Sequence, residues 1–146
     1  MPESTFPIAQ SHSVEKLKKL LFALQDTKKK FELMASKVKN QPLHQTIISL
    51  AVENNQYASE LVSLIRSLGG DGDSKSEAAE GEKGIRVNEK NMLKACEKCE
   101  IALVKTYQEV LEESYLYDSL KKIIRYQLNG VNYAFQKIRL MNILQK

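Results

Sequence analysis

The sequence predicts an all-α protein, a four-helix bundle with a long crossover between its second and third helices. Three observations predict it. Apolar residues recur at steps of three and four through four long segments, the period of a helix with one buried face. The composition, 42% hydrophobic and 27% charged with no Trp and only 3 Pro, is that of a packed helical chain rather than a disordered or fibrous one. The three links are unequal, the second being much the longest.

A chain of 146 residues makes one domain, long enough to bury a core without disulfides or a structural metal. The first helix is expected over about 13–40, with Val14, Leu17, Leu21, Leu24, Phe31, Ala35 and Val38 on its stripe and Ser13 as its N-cap. Pro42 cannot continue that helix but can open the next, so "NQP" makes a short turn and the second helix runs over about 42–69. Its stripe is Leu43, Ile47, Leu50, Tyr57, Leu61, Leu64 and Leu68, and Gly69-Gly70 is a left-handed stop. Residues 69–84, "GGDGDSKSEAAEGEKG", lack apolar periodicity and are rich in Gly, Ser and acids, which predicts a flexible link over 69–85. The third helix, about 86–113, carries Leu93, Cys96, Leu103, Tyr107, Val110 and Leu111. The fourth, about 117–144, carries Leu120, Ile123, Gln127, Val131, Ala134, Ile138 and Met141.

A long second link can return along the bundle, so that helices two and three run parallel in the ferritin-like manner. A plain up-down-up-down bundle with a long loop is the alternative. Three stretches resemble a bacterial family of ferritin-like four-helix-bundle proteins of unknown function: "LVSLIRSLGGDGDS", "ACEKCEIALVKTYQEVLEE" and "FQKIRLM". The resemblance implies the fold, and through the wider superfamily it implies relatives that bind two metal ions, store iron, or have lost the metal. That family usually has a longer segment with basic and aromatic residues after the double glycine, here shortened to "KSEAAEGEKGIRVNEK".

Di-metal sites of this fold take a Glu from each of two helices and a Glu-x-x-His from each of the others. The only histidines, His12 and His44, lie before helix one and at the start of helix two, where surface or capping roles are expected. Glu53 stands about a quarter turn from its helix's apolar stripe, toward a groove or solvent. Lys28, Asn54, Glu100 and Gln127 instead each fall inside the stripe of their own helix near its middle, which predicts one polar layer. A core carboxylate must be paired or protonated, so Lys28 and Glu100 are expected to form a buried ion pair, with the two amides filling the remaining valences and Tyr57 and Tyr107 close by.

In "CEKC", Cys96 lies within the core stripe and Cys99 at its edge, so both are read as packing thiols in a reducing compartment. Zinc needs further ligands at matching spacing, and a redox pair needs a helix N-terminus after a strand. The acidic stretch after Gly70 fails as a calcium loop because Lys75 and Ser76 occupy the fifth and sixth positions. A net charge of +4 with basic residues interrupted by acids predicts a solvated face, neither a nucleic-acid nor a membrane surface. No segment reaches the length of a transmembrane helix and the N-terminus does not read as a signal peptide, so the expected location is cytoplasmic.

The function these features predict is that of a non-catalytic, metal-free bundle without cofactor, acting by association with itself or a protein partner. Ala51, Ala58, Val62 and Ile65 form a second apolar strip on helix two, beside its core stripe, and are the expected interface. The alternative is a di-metal carboxylate protein holding iron or manganese through Glu53, Glu100 and ligands from a loop or terminus, with an oxidase or iron-handling role.

Overall fold

The structure, a computed structural model, describes residues 6–71 and 91–144. Four helices run in chain order: α1 (Phe6–Ser36), α2 (Gln41–Ser67), α3 (Met92–Leu111) and α4 (Asp118–Leu144). The expected flexible link lies outside the described residues from residue 72 onward, as do residues 86–90 of the expected third helix.

The first helix begins well before the expected cap. Pro7 is tolerated in a first turn and nothing after it breaks the helix, so Ser13 lies inside α1 rather than at its edge. There it is fully buried, and its hydroxyl donates to the Tyr115 carbonyl at 3.2 Å, a tertiary bond in place of a cap. At the α1–α2 turn, Asn40 caps the second helix by accepting from the Leu43 amide at 3.0 Å, and Pro42 sits in the first turn. His44 Nδ1 meets the Ala35 carbonyl at 2.8 Å and ties the two helix ends together.

α2 stops where the double glycine requires. Gly69 takes the left-handed conformation at φ 84°, its amide donating to the Arg66 carbonyl at 3.0 Å while Gly70 N–H reaches the Ile65 carbonyl at 2.9 Å. These two bonds define a Schellman stop. Gly70 is small for a separate reason, since a Cβ there would press on the side chains of Val14 and Ile65.

Contacts between the hairpins settle the topology. Lys19 early in α1 pairs with Glu109 late in α3 at 3.9 Å, while Met34 late in α1 meets Cys96 early in α3 at 4.0 Å. α1 therefore runs antiparallel to α3 as well as to α2, which makes α2 and α3 parallel. An up-down-up-down bundle would make α1 and α3 parallel, so the chain has the crossover, ferritin-like connection.

The core forms two apolar clusters, one around Leu17, Leu21, Leu61, Leu103, Tyr107 and Ile124, the other around Phe31, Met34, Ile47, Leu93, Cys96 and Ile138. Buried polar residues lie where the clusters meet. On α4 the inward residue is Ile124 and not the expected Ile123, which is exposed. The expected interface strip is also corrected: Ala51, Ala58 and Ile65 are buried within the chain's own core and Val62 is half-buried against it. A helix in a four-helix bundle touches two neighbours, so its apolar arc is wide, and the second strip of α2 is the other half of that arc.

Candidate functional site

The buried polar residues fall into two sets, one hydrogen-bonded and one not. In the first, the Gln127 side chain is fully buried and joins three helices. Its Oε1 accepts from the Tyr107 hydroxyl on α3 at 2.8 Å, while its Nε2 donates to the Tyr57 carbonyl at 3.2 Å and to Glu60 Oε1 at 2.9 Å, both on α2. The amide is used on both of its atoms. Burial pushes the Tyr107 phenol well above its ordinary range, with Tyr57 and the nearby carboxylates adding to the effect. It remains a donor at all physiological pH.

The second set is Asn54, three residues before Tyr57 on α2, and Glu100, seven before Tyr107 on α3, each about 1% exposed. Asn54 Nδ2 and Glu100 Oε2 are buried with no hydrogen-bond partner, an arrangement that is costly for any polar atom. Burial first, and then the charge of Glu53, push the Glu100 carboxyl up to about 8. At neutral pH the protonated form of Glu100 predominates.

Glu53 stands between this interior and the surface. Burial raises its carboxyl above the ordinary value, against the opposing effects of Lys137 and of a hydrogen bond with the Tyr57 hydroxyl. Tyr57 is pushed up to about 12, chiefly by burial and then by Glu53. Glu53 also lines a groove of about 180 Å³ between α2 and α4, with Leu50, Tyr133, Ala134, Lys137 and Ile138.

The expected Lys28–Glu100 ion pair is corrected. The Lys28 side chain is 31% exposed and pairs along its own helix with Glu32 at 3.9 Å. A long side chain can keep its stem over apolar surface and its ammonium in water, which avoids dehydrating the charge. Glu100 is accommodated instead by holding its proton.

Among the described residues the donor set does not match the two-metal centre found on ferritin-like folds. Such a centre requires four carboxylates and two imidazoles from four helices. Glu53, Glu60 and Glu100 are carboxylates near mid-bundle, and no group of three or more His, Cys, Asp or Glu able to hold a metal occurs among the described residues. His44 is engaged at the hairpin turn, and His12 stacks on Tyr115 with ring centroids 4.8 Å apart. The cysteines fit no metal role either. Cys96 is buried against Met34, and Cys99 is pushed up to about 11, mainly by burial.

Gly130 completes the site. A Cβ added there would collide with the Tyr57 hydroxyl, so the glycine is what lets the phenol lie across α4. Alanine is the better helix former by about 1 kcal/mol, yet we expect Gly130→Ala to destabilise the protein by about 1–3 kcal/mol through overpacking. Denaturant titration should show the loss, and adding Tyr57→Phe should recover part of it. Additive effects of the two substitutions would remove this explanation.

Neither Glu60 nor the Tyr57 carbonyl was expected as a partner of Gln127. Glu60 lies seven residues after Glu53 on the same helical face, and that spacing is the signal that could have found it.

The model of a family described as a domain of unknown function, DUF2383, matches residues 12–113. Among solved structures, a mutant of the Mycobacterium smegmatis protein Dps1 superposes with a TM-score of 0.79 at 14% identity, covering 92% of this chain and 97% of that one. At that identity the likeness is one of fold. No curated protein matches the chain. The family match spans α1 from His12 through the end of α3, most of the sequence and the buried polar residues except Gln127 of α4. The chain therefore belongs to the DUF2383 family, a domain of unknown function carried here on a ferritin-like four-helix bundle.

Proposed function

We propose that this bundle is a non-catalytic, metal-free association module, acting in the cytoplasm through contacts with itself or with a protein partner. The observation that carries this reading is the Gln127 node. In the bundle core, an amide spends both of its atoms on a phenol, a backbone carbonyl and a carboxylate. Such a network holds helices in register and offers no reactive group to a substrate. The raised thiols of Cys96 and Cys99 agree with a packing role in a reducing compartment. Among the described residues no helix is long and apolar enough to cross a membrane.

The test is metal content by plasma mass spectrometry on untagged protein, before and after incubation with ferrous iron and with manganese. We expect no stoichiometric metal in either sample. One or two equivalents retained through gel filtration, and lost in Glu53→Gln and Glu100→Gln variants, would replace this reading with the di-metal one.

A further inference from the structure

Two polar atoms of the interior have no protein partner, and their chemistry is complementary. Asn54 Nδ2 on α2 is a donor, and Glu100 Oε2 on α3 belongs to a carboxyl, which accepts through its carbonyl oxygen and, when protonated, donates through its hydroxyl. Both side chains are about 1% exposed, so neither atom turns to bulk solvent. Roughly 90% or more of buried polar groups in folded chains find a hydrogen bond, to protein or to ordered water. Two orphans of opposite kind therefore point to a partner that can serve both.

The surroundings bring the two side chains toward each other across small neighbours. The two apolar clusters of the core part at this depth: on α2, Ala51 belongs to one and Ala58 to the other, with Asn54 between them, and Val131 and Ala134 of α4 divide in the same way. Asn54 thus stands between two side chains that end at Cβ. Glu53, its neighbour in the chain, is the second cause of the raised Glu100 carboxyl, so α2 and α3 face each other here closely enough for one charge to act on the other. Glu53 also lines the groove between α2 and α4, which brings solvent to within one residue of Asn54 along the helix.

Few partners satisfy both atoms. A cation would meet the hydrogens of Asn54 Nδ2, and an apolar molecule would leave both atoms unpaired. Water accepts from the amide and bonds the carboxyl in either of its roles, and it occupies only about 30 Å³. Polar partners are what hold a water in an interior, where a purely apolar cavity stays dry.

We propose that Asn54 and Glu100 hold a buried water between α2 and α3, a second polar bridge beside the one that Gln127 makes. The bridge is independent of how the bundle associates and goes beyond that reading.

Nuclear Overhauser spectroscopy of the ¹⁵N-labelled full chain at pH 6 tests it. The side-chain amide protons of Asn54 should show cross-peaks to water. Glu100→Gln keeps the shape of the protonated carboxyl and removes its exchangeable proton, and it should retain them. Cross-peaks that vanish in Glu100→Gln would mean that the amide meets the carboxyl directly, and their absence from the native chain would mean that no water is held; either result overturns the site. Oxygen-17 relaxation dispersion should lose the contribution of a long-lived water in the Asn54→Leu, Glu100→Leu double variant, which removes both partners. An unchanged dispersion in that folded variant would overturn the site as well.

Discussion

Glu100→Gln is expected to stabilise the protein by a few kcal/mol at pH 8–9 and to remove most of the pH dependence of its stability between pH 4.5 and 8. Glu100 is 1% exposed, and its carboxyl is raised from 4.5 to about 8, first by burial and then by Glu53. Within that window the folded chain holds a proton that the unfolded chain has released, so unfolding free energy falls as pH rises. Below the unfolded value both states are protonated and the contribution is fully present; above about 8 the folded state carries a buried, unpaired carboxylate. Each pH unit of separation corresponds to about 1.4 kcal/mol, which is how a few kcal/mol arises.

Urea titrations at pH 5, 7 and 9 would measure this directly. Glutamine has the shape of the protonated side chain and cannot ionise, so its curve should be flat where the native curve declines. Glu53→Gln should move the decline to lower pH by removing the secondary cause, although Glu53's own carboxyl also sits above its ordinary value. Lys28→Met should change stability by only about 0.5 kcal/mol, as expected for an exposed i,i+4 pair with Glu32. A loss of several kcal/mol in that variant would restore the ion pair that the structure replaces.

Gln127→Leu is expected to cost about 3 kcal/mol, although leucine is similar in size and more apolar. It removes the acceptor of the fully buried Tyr107 hydroxyl and the donor to both Glu60 and the Tyr57 carbonyl. The cost comes from the groups left behind, since a buried hydroxyl without a partner loses about 1–3 kcal/mol. Replacing both ends should be milder than replacing one. In a double-mutant cycle, Tyr107→Phe with Gln127→Leu should lie above the sum of the single effects by about 1 kcal/mol or more. Strict additivity would mean that the 2.8 Å bond adds nothing to the stability of the fold.

Much of the fold was legible because helix period and breakers are local properties. The three-four spacing of Leu17, Leu21 and Leu24 can only be buried on one helical face, and Pro42 and Gly69 act within one turn of their own positions. The long second link, set against two short ones, pointed to the crossover that the Lys19–Glu109 and Met34–Cys96 contacts establish. Ser13 was misread for the complementary reason. A serine before an apolar run has the local pattern of a cap, and only a carbonyl supplied from residue 115 turns it into a buried donor.

The candidate site was legible in its burial and not in its partners. Asn54, Glu100 and Gln127 lie inside apolar stripes, and a stripe fixes which way a side chain points. It does not fix which neighbours a side chain meets, so residues that share such stripes separate into a set bonded through Gln127 and the unpartnered Asn54 Nδ2 and Glu100 Oε2. Nor does it show whether a lysine bends inward, because the flexible Lys28 stem reaches either core or water and the solvation of its ammonium decides for water.

By itself the sequence determined that the chain is four amphipathic helices, where they turn, and which polar residues must lie among apolar ones, since each of these follows from the chemistry of neighbouring residues. Only the tertiary structure decided that Glu100 has no cation beside it, that the second strip of α2 is core, and that Tyr126, Tyr133 and Leu140 of α4 stay exposed. Those outcomes depend on the register and rotation of one helix against another, which are set by packing between residues far apart in the chain.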